Sequence, residues 1–148
     1  MNTELMFSSE KQDWTTPRDL FDRLNEKYNF TLDAAANKEN ALLPNFFGEG
    51  STIHEDGLSA SWEGHRVFCN PPYGRVLTKK WVYKSFFEYM VHDTKVCLLL
   101  PVRTDTKWFH EWVYGQNRIR VEFLRGRLKF GGCKNSAPFP SMLVFMGM

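Results

Sequence analysis

The most constraining stretch of the 148-residue chain is Val96-Cys97-Leu98-Leu99-Leu100, five apolar residues closed by Pro101. A strand covered on one face alternates apolar and polar side chains, whereas a run without alternation reads as a strand covered on both faces, the mark of a largely parallel sheet. Arg66-Val67-Phe68-Cys69 is a second short apolar strand, stopped by Asn70-Pro71-Pro72, and Phe30-Thr31-Leu32 is a third, ending at Asp33. Thr16-Pro17 followed by Leu20, Phe21, Leu24 and Tyr28 predicts an amphipathic helix with Thr16 as N-cap and Pro17 in the first helical position. Residues 77–91 read as a helix, with Leu77, Trp81, Val82, Phe86 and Tyr89 near one face, and Lys107 to Tyr114 as a short aromatic helix. Ile119 to Leu124, Arg127 to Phe130 and Met142 to Phe145 read as further strands. Helices and strands alternate until about residue 118 and strands dominate afterwards, which predicts an α/β fold, mostly parallel with antiparallel C-terminal strands and flanking helices. Between Ala34 and Trp62 the chain is broken by Pro44, Gly48, Gly50 and Gly57, and Gly48-Glu49-Gly50 reads as a loop and not a cofactor cradle.

The length suits one domain, residues 1–148, with residues 1–10 expected to be flexible and no separate target-recognition domain. No apolar run is long enough to span a membrane, and the start lacks the pattern of a signal peptide. Cys69, Cys97 and Cys133 are odd in number and form no CxxC pair, so a reducing cytoplasm is expected. His54, His65, His92 and His110 lie on separate predicted elements without ligand spacing, so no metal is expected. Cys69, one residue before Asn70, could be a nucleophile but lies in an apolar strand and reads as core; Trp108, Phe109 and Trp112 read as helix packing, with one of them lining a pocket for a base as the alternative.

Net charge is only +2, but its distribution is uneven. Residues 1–50 carry 5 basic and 9 acidic side chains, and residues 103–134 carry 8 basic and 3 acidic. That basic block fits a polyanion as partner, and equally a solvated strand-and-turn surface.

The strongest chemical signal is Asn70-Pro71-Pro72-Tyr73, directly after a predicted strand, where α/β sheets hold their ligands. Two prolines stiffen the backbone and remove two N–H donors, leaving carbonyl acceptors beside an amide side chain and an aromatic ring. This suits a planar substrate with an exocyclic amine. Hydrogen bonds to the Asn70 oxygen and the Pro71 carbonyl would draw that nitrogen toward tetrahedral geometry and free its lone pair. Tyr73 would stack on the ring. The same residues also fit a proline-rich loop whose tyrosine packs locally.

The tetrapeptide resembles the catalytic loop of amino-group methyltransferases that use S-adenosylmethionine. Together with Trp14-Thr15-Thr16-Pro17 and Leu20-Phe21, Leu32-Asp33-Ala34-Ala35-Ala36, Gly126-Arg127-Leu128-Lys129-Phe130 and Pro138-Phe139-Pro140-Ser141, it resembles the small phage-type DNA N6-adenine methyltransferases over residues 7–146. The tetrapeptide alone is shared with RNA and protein-glutamine methyltransferases, and an inactive DNA-binding module on the same fold is a further alternative.

The resemblance implies a Rossmann-like S-adenosylmethionine-dependent methyltransferase fold and a catalytic set of Asn70, Pro71, Pro72 and Tyr73. It implies that Asp33 and Ala34 meet the methionine part of S-adenosylmethionine, that Thr15, Thr16 and Pro17 meet its carboxylate, and that Asp56 accepts from its adenine amine, with Asn70 also at the cofactor. Thr16 as a helix cap and Asp33 and Asp56 as turn formers are the structural alternatives. Double-stranded DNA is the expected partner, held by Arg75, Arg103, Lys107, Arg125, Arg127 and Lys129, with Arg127 alternatively pinned to a carboxylate. Specificity would come from residues 74–80 and 131–137 or from a second subunit, the protein being a monomer or weak homodimer. Encoded by a phage or prophage, it would act in the cytoplasm of the bacterial host.

Overall fold

The computed structural model describes residues 14–148. The expected flexibility of residues 1–10 lies outside the described residues. Three helices, α1 (Arg18–Tyr28), α2 (Arg75–His92) and α3 (Lys107–Trp112), flank a sheet of β1 (Leu32–Asp33), β2 (Arg66–Cys69), β3 (Lys95–Pro101), β4 (Ile119–Phe123) and β5 (Ser141–Met146). The strand order is β1-β2-β3-β5-β4. β1, β2 and β3 run parallel, and β5 is antiparallel to both β3 and β4. β4 therefore runs the same way as β3, and the carboxyl ends of β1 to β4 share one edge of the sheet.

β3 is buried on both faces, as its unbroken apolar run requires. Its side chains alternate between two cores. Val96, Leu98 and Leu100 pack with Trp62, Trp81, Val82, Trp108 and Phe109, under α2 and α3. Cys97 and Leu99 pack with Leu20, Phe21, Phe68, Phe130 and Phe139, under α1 and the chain leading into β5.

Two local expectations are corrected. The helix begins at Arg18, with Pro17 in the N-cap position at ψ 126° and no side-chain cap. Thr16 does not cap it because the Thr16 hydroxyl is turned to Asn70 instead. Residues 127–130 form no strand. Gly126 and Gly132 take left-handed φ of 75° and 77°, and Leu128 accepts from the Ala137 N–H across a wide loop. That loop is tied to the N-terminal segment where the Gly131 N–H donates to the Thr15 carbonyl.

Candidate functional site

A cleft of about 190 Å³ opens at the carboxyl edge of the sheet, beyond β1 and β2. Its walls include Thr15, Thr16, Asp33, Asp56, Asn70, Pro71 and Pro72, all expected from the sequence. Ligands of open α/β sheets bind at this edge because the loops leaving the strands diverge there.

Asn70 follows β2 directly. Its amide nitrogen donates to the Trp14 carbonyl and, at 2.9 Å, to the Thr16 hydroxyl. A carbonyl can only accept, so the Trp14 contact fixes which end of the amide is nitrogen. The opposite end, Oδ1, is buried without a hydrogen-bond partner among the described residues. An unsatisfied buried acceptor is costly, and in a cleft it is a place prepared for a donor from outside the protein.

Asp33 ends β1 and is 3% exposed. Its Oδ2 accepts from the Leu42 N–H at 3.0 Å. Burial pushes the carboxyl from its ordinary 3.8 up to about 7, against the lowering effect of hydrogen bonds from Leu42 and Ala35. A cationic ligand would restore its charge. Asp56 is exposed; its Oδ1 accepts from the Leu58 N–H at 3.0 Å, so it shapes a turn and walls the cleft at once.

Three of the expected site residues do not line the cleft. Ala34 is fully buried, its N–H donates to the Phe68 carbonyl, and Ala35 and Ala36 face the cleft instead. Pro17 is not among the cleft residues; its place is at the start of α1. Tyr73 is 5% exposed and packs among Phe130 and Phe139. Its hydroxyl donates to the Leu99 carbonyl at 2.8 Å, and burial holds its pKa well above the ordinary value. Of the two readings of this loop, the position of the tyrosine matches local packing.

Sequence reasoning also missed parts of the wall. Gly48 lines the cleft although its loop was not expected to hold a ligand. At φ +146° a Cβ there would lie 1.5 Å from the Ala36 carbonyl oxygen, so glycine lets residues 46–48 run against 33–36. A Cβ on Gly57 would lie 2.1 Å from the Ala34 carbonyl oxygen and 2.7 Å from the Trp81 ring, and both Gly57 and Trp81 are cleft residues. Glycines breaking up the 34–62 segment were the available signal.

Other candidates are absorbed by the fold. Cys69 and Cys97 are fully buried, and burial raises both thiols, which removes Cys69 as a nucleophile. Trp108 and Phe109 are buried in packing. Among the described residues, no group of three or more His, Cys, Asp or Glu converges as a metal site. No helix among the described residues is long and apolar enough to cross a membrane.

The basic block divides in two. Arg118 pairs with Asp93 at 3.8 Å, and Arg120 pairs with Glu122 at 3.7 Å while lying 3.9 Å over the Phe145 ring. Arg75, Arg103, Lys107, Arg125, Arg127 and Lys129 are exposed and make no ion pair among the described residues. Arg127 is thus not pinned to a carboxylate among the described residues. Arg75 follows β2, Arg103 follows β3 and Arg125 follows β4, so all three leave the same edge as the cleft.

The fold and this site define an α/β protein with an acceptor-lined cleft at the carboxyl edge of its sheet, with exposed arginines leaving the same edge. The model of the family described as DNA N-6-adenine-methyltransferase (Dam) matches residues 4–146, and the chain belongs to that family. It is similar to the DNA N-6-adenine-methyltransferase of Haemophilus phage HP1 (strain HP1c1), 32% identical over 124 residues that cover 82% of this chain and 68% of that protein. It is also similar to the DNA N-6-adenine-methyltransferase of Escherichia phage T1, 34% identical over 103 residues, 66% of this chain and 39% of that protein.

Proposed function

We propose that the chain transfers a methyl group from S-adenosylmethionine to N6 of an adenine in double-stranded DNA, as one domain of Rossmann-like methyltransferase fold. The observation that carries this reading is the buried, unpartnered Oδ1 of Asn70 beside Pro71. An adenine N6 amine donates hydrogen bonds and is a weak nucleophile, because its lone pair is delocalised into the ring. An amide oxygen and a proline carbonyl together would accept both N–H bonds and localise that lone pair.

The cleft fits the cofactor's charges. The Asp33 carboxyl is held near its titration point by burial and would take the ammonium group. Thr15 and Thr16, at the uncapped start of α1, offer hydroxyls to the carboxylate, and a helix N-terminus favours an anion. Asp56 keeps its Oδ2 for the adenine amine of the cofactor. Bound there, S-adenosylmethionine supplies an electrophilic methyl group on a sulfonium.

The chain's own contribution is orientation and hydrogen bonds that strengthen as positive charge grows on the amine. No strong base is needed beforehand, because the methylated amine becomes acidic and loses its proton afterwards. A base inside a duplex cannot present its amine to a buried amide, so the adenine has to be extruded, at a cost on the order of a few kcal/mol. The exposed Arg75, Arg103, Lys107, Arg125, Arg127 and Lys129 would hold the phosphates around it.

Replacing Asn70 by Ala tests the reading. The variant should bind S-adenosylmethionine and remain folded but lose methyl transfer to DNA. Near-normal turnover would remove Asn70 from the chemistry.

A further inference from the structure

We infer that Thr16 is a positioning residue for catalysis: its hydroxyl, with the Trp14 carbonyl, holds the Asn70 amide so that only Oδ1 is offered to the target amine. The inference rests on the reading of Asn70 as acceptor for that amine.

Both N–H bonds of the Asn70 amide are spent on the segment before α1, on the Trp14 carbonyl and the Thr16 hydroxyl 2.9 Å away. The two partners do different work. The carbonyl has lone pairs only, so a flipped amide would set two acceptors face to face there. The hydroxyl fixes the plane of the amide, since two anchored N–H bonds leave no free rotation about the side chain's last torsion. Thr16 is 7% exposed, so water does not readily substitute for it. Each donated N–H bond also polarises the amide and makes its oxygen a better acceptor.

The anchoring segment is itself fixed from a third direction. The Thr15 carbonyl accepts from the Gly131 N–H at 2.8 Å. The Trp14 ring packs edge-on against Phe130 at 5.3 Å and Phe139 at 5.1 Å. The chain around residues 130–139 therefore braces residues 14–16, which brace Asn70.

The alternative is that Thr16 serves the cofactor alone. The two roles separate when binding and chemistry are measured apart. Thr16→Val keeps the shape and removes the hydroxyl; Thr16→Ser keeps the hydroxyl. Single-turnover methyl transfer is read at saturating S-adenosylmethionine and DNA, with cofactor affinity by calorimetry, melting by circular dichroism and Asn70→Ala in parallel. We expect Thr16→Val to slow the saturated step roughly ten- to hundredfold, the range for stranding a buried polar partner. Thr16→Ser should return it to within about threefold of the parent, its hydroxyl remaking the bond. A Thr16→Val protein that melts normally, binds cofactor more weakly and transfers at the parental rate once saturated would overturn the inference. So would a Thr16→Ser protein as slow as Thr16→Val. If Thr16→Val fails to fold, the decision rests on Thr16→Ser, whose parental saturated rate with parental melting supports the inference. An active Asn70→Ala protein would instead show that the underlying reading of the site is wrong.

Discussion

Glu88, on α2, accepts the backbone N–H of Trp62, 26 positions earlier in the chain. Glu88 is fully buried, and its other oxygen takes the Lys84 ammonium at 3.2 Å while His92 lies 3.1 Å from the first. Lys84 in turn donates to the Ala60 carbonyl, and the Trp62 ring N–H donates to the Gly57 carbonyl at 2.8 Å. Gly57 is a wall of the cleft. One buried carboxylate thus fixes the position of a loop that carries no regular structure of its own.

Glu88→Ala should therefore both destabilise the fold and loosen the cleft. Removing one partner of a buried charge cluster costs about 3–5 kcal/mol, because the Lys84 charge and the Trp62 N–H are left without their acceptor. Urea denaturation checks the first effect. Weaker binding of S-adenosylmethionine by the still-folded fraction checks the second.

Asp33 predicts a pH dependence. Its carboxyl titrates at about 7 in the folded protein and at 3.8 when unperturbed. A raised folded value means that its contribution to stability is complete below 3.8 and is lost as pH rises through 7. Cofactor binding runs the other way, since the ammonium needs the charged carboxylate. Below 7 the affinity should fall by about tenfold per pH unit, and above 7 it should level off. Calorimetric titration between about pH 5.5 and 8.5 should show this for the parent and a flat profile for Asp33→Asn. A parental profile in the variant would assign the titration to another group.

Tyr73 separates packing from chemistry. Its ring is in the core and its hydroxyl holds the Leu99 carbonyl. Tyr73→Phe should cost about 1 kcal/mol for the lost hydrogen bond, and Tyr73→Ala about 3–5 kcal/mol for the cavity. Thermal melting of both variants measures this. A Tyr73→Ala protein that melts like the parent and fails only in turnover would restore the ring to the base.

Phosphate contacts are read by salt. Each neutralised phosphate adds roughly 0.9 to the slope of log affinity against log salt, so replacing Arg125 and Arg127 together by Ala should flatten it by roughly 1.8. Affinity should fall alike for all sequences. Arg120→Ala is the contrast: its guanidinium is engaged with Glu122, Tyr28 and the Phe145 ring, so stability should drop and the slope should stay. Fluorescence anisotropy over a salt series distinguishes them.

Much of this was legible in the sequence because the signals are local. The run Val96 to Leu100 reads as a doubly covered strand and is one, and Asn70, Pro71 and Pro72 line the cleft as their place after a strand predicts. Residues 127–130 look like a strand, but Gly126, Gly131 and Gly132 around them and the bridge to Thr15 bend them into a loop. Thr16 reads as a helix cap until Asn70, 54 positions later, claims its hydroxyl. Gly48 and Gly57 enter the cleft through close approaches to Ala36 and Ala34, and Trp81 through Gly57, none of which a local pattern encodes.

The central claim is methylation of adenine at N6 in DNA, and nucleoside analysis tests it most directly. The protein is incubated with S-adenosylmethionine labelled in its methyl group and with duplex DNA, RNA and protein acceptors, each then digested and separated. The account predicts label in N6-methyldeoxyadenosine from DNA and none with Asn70→Ala. Label confined to RNA or protein, or found on cytosine, would contradict it.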